Sequence, residues 1–326
     1  MPEPDLATEF EAERSHLTGV AYRMLGSRAE AEDAVQETWL RYAKALGSPE
    51  ARAEIRDLRG WLTRTIGRIC LDVLRSARVR REAYPGQWLP EPVVDRLPGV
   101  PEPPAGGGFA PDPADRAVAT DQLGIALLVL LDRLSPEQRV AFVLHDIFAV
   151  PFADVATTLG GTPEAARQLA SRARRAVAGA RPGPDVDLAE QRRVLTAFLA
   201  AAESGDLDRL LEVLAPDVVF IGDGGGHVPA ARQPIHGAPK VAQFVLGLFR
   251  LADRQVKRLR TEPVLVNGAL GVQFEGTFRD GRPWKSVLAF DIRDGRITAG
   301  FNQINPDKLT RVPPLGPDAT DWTPRP

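Results

Sequence analysis

The sequence predicts a multidomain chain: two all-α helical domains, the second a helix-turn-helix, then an α+β domain with a curved antiparallel sheet. Three observations carry this. Residues 1 to about 82 show apolar positions at helical spacing and no proline between Pro49 and Pro85. Residues 83–114 are dense in proline and glycine. Beyond Leu188 the pattern shifts from helices to Val-, Phe- and Ile-rich runs separated by Asp-Gly pairs. A length of 326 residues exceeds one typical domain.

Composition narrows the function classes. With 44% hydrophobic and 26% charged residues the chain is ordinary globular material. Its 41 Lys+Arg against 43 Asp+Glu leave a net charge of −2, so contact with nucleic acid must come from local basic patches. The single cysteine, Cys70, excludes an intramolecular disulfide and a thiolate cluster. With no His/Cys ligand spacing either, neither a metal nor a cofactor is expected, and no catalytic residue is assigned. The longest apolar stretches, Ile125–Leu131 and Val194–Ala202, fall short of a membrane span. The acidic start has no apolar leader. The expectation is a soluble, cytoplasmic protein without membrane partners.

In the first helical domain, the run 29–42 places Val35, Trp39 and Tyr42 on one face and Asp33, Gln36 and Glu37 on another, acidic one. From Gly60 to Arg81, the residues Trp61, Leu62, Ile66, Ile69, Val73 and Leu74 point inward, with Arg64, Arg68, Arg75 and Arg78 mostly elsewhere. The segment 83–114 reads as a linker, stiff around Trp88-Leu89-Pro90-Glu91-Pro92 and loose at Gly106–Gly108.

Helices resume at about Asp115 and run to Ala180. Ser135 is an N-cap with Pro136 behind it, and a helix from near Phe152 ends at Gly160-Gly161. Thr162 then caps the next helix, with Pro163 at its first position. Two helices across a glycine turn make a helix-turn-helix. Its second helix carries Glu164, Arg167, Gln168, Ser171, Arg172, Arg174 and Arg175, with Ala165, Ala166, Leu169 and Ala173 on the packing side. Arginine and glutamine can bond base edges bidentately, while serine and further arginines hold phosphates.

After Leu188, helices 188–204 and 206–214 lead into strands at 264–266, 271–279, 284–293 and 296–303. Asp280-Gly281 and Asp294-Gly295 supply hairpin turns.

The runs AEDAVQETWLRY (31–42) and RGWLTRTIGRICLDVLRSARVRR (59–81), followed by the helix-turn-helix, resemble an extracytoplasmic-function sigma factor of RNA polymerase. The resemblance implies that 8–82 is sigma region 2, contacting core RNA polymerase through Asp33, Gln36 and Glu37. It implies that Trp61, Arg64, Arg68, Arg75 and Arg78 open and read the −10 element of promoter DNA. Residues 115–181 would be region 4, reading the −35 element with Thr162, Glu164, Arg167, Gln168, Ser171, Arg172, Arg174 and Arg175.

The chain continues for more than a hundred residues, and 186–312 resembles a SnoaL-like domain, followed by a tail at 313–326. Three motifs together resemble the subgroup of these sigma factors with a fused SnoaL-like extension: Trp88-Leu89-Pro90-Glu91-Pro92, Asp223-Gly224-Gly225-Gly226 with His227 after it, and Asn305-Pro306-Asp307-Lys308. In that subgroup a lysine usually follows the glycines; His227 departs from the pattern. The subgroup implies regulation in cis without a separate anti-sigma factor, and a linker docked near the glycine turn. A SnoaL-like pocket can also take a small-molecule ligand. Two other readings stand beside this one: a ligand-responsive helix-turn-helix regulator, and an enzyme with a DNA-binding appendage whose acid–base groups would come from Asp223, His227, His236 and Asp291.

Overall fold

A computed structural model describes residues 6–45, 55–82, 84–97, 124–178, 187–317 and 319–322. They fall in two compact units: one within 1–83, 111–121 and 127–181, the other within 84–110, 122–126 and 182–326.

The first unit is helical. Helices α1 (Leu6–Leu25), α2 (Arg28–Ala45) and α3 (Leu58–Glu82) pack around Leu17, Val20, Val35, Tyr42, Leu62 and Ile66, all at or below 1% exposure. Phe10, Trp39, Tyr42 and Trp61 stack in an aromatic ladder, with ring centroids 5.2–6.2 Å apart along it. The second half starts with α4 (Ile125–Leu131) and α5 (Pro136–Phe142), the latter capped by Ser135 in a reciprocal box with Gln138. A π-helical turn, Val143–Ile147, follows, then α6 (Phe152–Leu159) and α7 (Pro163–Val177). The expected caps are present: Gly160 ends α6 at φ 71° and Thr162 accepts from the Ala165 N–H. The buried stripe of α7 is Ala166, Ala170, Ala173 and Val177. Ala165, expected inside, is exposed and Leu169 half-buried, because spacings of four, three and four set the stripe.

The second unit is α+β. Helices α8 (Leu188–Ser204), α9 (Leu207–Val213) and α10 (Ala238–Gln255) cover one face of a mixed sheet. The strands are β1 (Val94–Arg96), β2 (Leu214–Asp223), β3 (Ile235–His236), β4 (Val256–Val266), β5 (Ala269–Phe278), β6 (Pro283–Arg293), β7 (Arg296–Gln303) and β8 (Thr320–Trp322). Their order is β1-β4-β5-β6-β7-β2-β3, with β8 also on β4. Hairpins turn at Asn267-Gly268, Asp280-Gly281 and Asp294-Gly295, where positive φ is supplied by Asn267, Asp294 and the three glycines.

Two expectations need correction and one is extended. The sheet is not wholly antiparallel, since β2 joins β7 in parallel. No hairpin links those strands, so nothing local fixes their relative direction. Beyond the docking expected of it, the linker adds β1 to the sheet, pairing Val94 with Val266 and Arg96 with Val264. The domain does not stop at 312. The Gly316 N–H donates to Glu262, and β8 pairs with β4. Gly106–Gly108 and Arg181 lie outside the described residues.

Candidate functional site

On α2, Asp33 and Gln36 are exposed and Glu37 is half-buried, holding Arg41 at 2.8 Å. Leu40 extends the same stripe one turn on and is 61% exposed. Sequence reading passed over it, although an apolar residue seven positions after Asp33 falls on the acidic face.

The arginines of α3 meet the second half of the helical unit. Arg64 pairs with Asp154 at 2.8 Å, Arg68 donates to the Thr157 carbonyl at 2.9 Å, and Arg75 pairs with Glu137 at 3.0 Å. Three of the cations assigned to the −10 element thus tie α3 to α5 and α6. Arg78 follows on α3, beyond the residues whose side chains are described. Trp61 is half-buried against Tyr42, as a core residue would be.

On α7 the surface carries Glu164, Arg167, Gln168, Arg172 and Arg175, while Ser171 is half-buried. Arg167 lies over the Phe152 ring, 5.5 Å from its centroid. Arg174 is held by Asp146 at 2.8 Å and fastens α7 to the π-helical turn. Thr162 spends its hydroxyl as the cap.

In the second unit the three motifs converge on one carboxylate. Asp223, fully buried at the end of β2, accepts from the Tyr84 hydroxyl (2.6 Å), the Leu89 N–H (2.9 Å), the Gly225 N–H (3.0 Å) and the Lys308 ammonium (2.7 Å). Lys308 also donates to the Leu89 carbonyl at 2.7 Å and lies over the Trp88 and Tyr84 rings, 4.3 and 5.0 Å from their centroids. Gln303 donates to the Pro90 carbonyl (3.3 Å), and Asn305 donates to the Tyr84 hydroxyl (2.9 Å). Burial and the adjacent Asp223 carboxylate both push the Tyr84 phenol upward, so it stays protonated and donating. Leu89 is fully buried, and Pro90, Glu91 and Pro92 are buried beside it.

The glycine run is required where it stands. A Cβ on Gly224 would strike the Val228 carbonyl, and Gly225, at φ 61°, would strike the Asn305 side chain. In the third motif, Pro306–Lys308 form a 3-10 turn capped by Asn305, which accepts from the Asp307 N–H. His227 and Asp307, both exposed, meet at 3.0 Å.

Sequence reasoning missed Tyr84, Gln303 and Asn267, which brackets Val93 with two hydrogen bonds at 2.8 and 3.3 Å. The signal for Gln303 was its place at the end of β7, two residues before Asn305 of the Asn-Pro-Asp-Lys turn and on the same side of the strand as Phe301.

The opposite face of the sheet encloses an apolar cavity of about 170 Å³. Its lining includes no Asp, Glu, His, Lys or Arg. Asp223 faces the linker, His236 is exposed on β3, His227 meets Asp307, and Asp291 holds Arg293 and Thr298. The four candidate acid–base groups do not converge on one substrate position, as general acid–base catalysis requires.

Comparison with known proteins follows the same division. Residues 10–80 match the family model "Sigma-70 region 2", 125–177 match "Sigma-70, region 4", and 195–300 match the SnoaL-like domain. The chain is 45% identical over 314 residues to the ECF RNA polymerase sigma factor SigJ of Mycobacterium tuberculosis, covering 94% of both chains. It belongs to the extracytoplasmic-function sigma factors. A probable ECF sigma factor, SigI of Mycobacterium tuberculosis, is 35% identical over 305 residues, or 93% of this sigma factor and 94% of SigI. The crystal structure of SigJ superposes with a TM-score of 0.71 at 41% identity, covering 94% of this sigma factor and 99% of that chain. The relatives are transcription initiation factors, which work with core RNA polymerase and promoter DNA, and not enzymes. Among the described residues no helix is long and apolar enough to cross a membrane.

Proposed function

We propose that this sigma factor, acting in the cytoplasm, docks on core RNA polymerase through the α2 stripe of Asp33, Gln36, Glu37 and Leu40. It opens and reads the −10 element with α3 and reads the −35 element with Glu164, Arg167, Gln168, Arg172 and Arg175 of α7. It is gated in cis by its SnoaL-like unit, which grips the linker between the two sigma regions, with no separate anti-sigma factor required.

The observation that carries the gating is the convergence of the three motifs on buried Asp223, which fastens a segment connecting the two DNA-reading halves. Holding the linker restricts the span that regions 2 and 4 can adopt on a promoter. The test is transcription in vitro from a promoter library with core polymerase and three proteins: the full chain, a form ending after Lys308, and a form ending near Arg181. Promoter-specific transcripts that differ among the three support both the sigma role and the gate. Equal output from all three would sink the gate; silence from all three, with no co-elution with polymerase, would sink the polymerase reading.

A further inference from the structure

One basic surface of this protein belongs to neither sigma region. It is built where α10 hands over to β4. The Arg279 N–H donates to the Gln255 carbonyl at 2.8 Å, and the Arg279 guanidinium donates to the Arg254 carbonyl at 2.7 Å. Val256, the first residue of β4, pairs with Phe278, the last of β5. The tip of the β5–β6 hairpin therefore sits against the C-terminal end of α10. Arg250, Arg254, Lys257, Arg258, Arg279 and Arg282 gather there, all exposed.

Among the described residues no ion pair engages Arg250, Arg254 or Lys257. Arg258 holds Asp321 at 3.5 Å and Arg282 holds Asp280 at 2.8 Å, with side chains 53–74% exposed, so both pairs exchange readily for another anion. Asp253 on α10 is half-buried, and Glu275, further along β5, is taken by Lys285 at 2.9 Å. This end of the unit is thus positive within a chain of net charge −2. Cations at a helix C-terminus complement its dipole, which accounts for Arg254 and Arg279. It does not account for Arg250, Lys257, Arg258 and Arg282.

The occupant that fits is duplex DNA. Arg250 and Arg254 stand one turn apart, about 6 Å along α10, and a DNA strand presents a phosphate every ~3.4 Å of its axis. The relatives already work on promoter DNA. We propose that this end of the SnoaL-like unit is a second DNA surface, whose arginines and lysine hold backbone phosphates. Such contacts carry no sequence information, so the surface adds affinity and leaves the choice of promoter to the sigma regions. The proposal goes beyond the gate and does not depend on it.

The test titrates the full chain against a fluorescein-labelled duplex of scrambled sequence, by anisotropy, between about 50 and 200 mM salt. Arg250→Gln/Lys257→Gln should weaken binding roughly tenfold or more at about 100 mM salt and flatten the slope of log K against log salt by about 2. Its melting temperature should match wild type, since neither side chain holds another residue. The swap Arg250→Lys/Lys257→Arg keeps both charges and should bind as wild type does. The matched control is Arg192→Gln/Arg193→Gln on α8, where the neighbouring Gln191 accepts from the Leu270 N–H at the opposite end of β5. It should leave affinity and slope within about twofold and 0.5 of wild type. An unchanged slope in the first variant, or an equal loss in the control, would overturn the proposal. So would an unchanged slope joined to poorer co-elution with core polymerase, which would assign the surface to polymerase instead. Transcription by the wild type is scored separately, so failure here leaves the sigma role standing.

Discussion

Two kinds of cation–carboxylate junction hold this protein together, and they differ in burial far more than in length. In the helical unit Arg64–Asp154 and Arg75–Glu137 close at 2.8 and 3.0 Å with side chains 28–51% exposed. In the SnoaL-like unit Lys308–Asp223 closes at 2.7 Å with the side chains 15% and 0% exposed. Exposed pairs contribute about 0–1 kcal/mol, whereas removing one partner of a buried pair costs about 3–5 kcal/mol. The arginines that the sigma reading assigns to DNA therefore sit in contacts that exchange readily for phosphate. The linker is gripped by one that does not open without a large change at Asp223.

The sharpest way to break this contrast is Asp223→Ala in the full chain. It should lower the stability of the SnoaL-like unit by about 3–5 kcal/mol in urea unfolding, because the Lys308 ammonium, the Leu89 N–H and the Tyr84 hydroxyl all lose their buried carboxylate acceptor. A loss under about 1 kcal/mol would mean the junction is no stronger than those of the helices. Next, a double-mutant cycle between Trp88→Ala and Asp223→Ala should show a coupling of roughly 1–2 kcal/mol, since Lys308 bridges the two; additive losses would separate the ring from the clamp. Smaller still, Asp154→Ala and Glu137→Ala should each cost under about 1 kcal/mol in stability yet raise promoter-dependent transcription by freeing Arg64 and Arg75. Unchanged or reduced transcription would make these contacts purely structural.

The smallest effect is a pH dependence confined to the helical unit. Burial, reinforced by the nearby Arg59 charge, holds the His16 imidazole below its ordinary value. The unfolded chain then binds the proton first, so the folded state loses stability as pH falls through the ordinary histidine range of about 6.5 and is unaffected above it. Melting temperatures of wild type and His16→Gln between pH 7.5 and 5.5 should diverge, with the variant flatter.

What could be read from the sequence was what is decided locally. Ser135, Thr162 and Gly160 announce helix ends because a cap satisfies its own turn, and Asp294-Gly295 announces a hairpin for the same reason. The clamp motifs were legible as motifs, but Tyr84 meets Asp223 across 139 positions and Gln303 meets the Pro90 carbonyl across 213, pairings no local pattern announces. Strand β1 has three residues and finds its partner in β4, so no local period could reveal it. Helix α10 did leave a trace: Val241, Ala242, Val245 and Leu246 recur at helical spacing and are buried, but they stand between two segments of strand character. Arg174 looked like its neighbours, and only the position of Asp146 turns it from a DNA-facing cation into a brace.

The clamp also imposes an order in time. The ribosome delivers the linker long before its jaws: 219 positions separate Leu89 from Lys308. At roughly 5–20 residues per second, some ten to forty seconds pass between the emergence of one and the other. In the later part of that interval, once region 4 is complete, both sigma regions are synthesised while the grip on the segment between them is not. With the proposed gate, each newly made molecule therefore passes once through an ungated youth that lasts until Lys308 arrives.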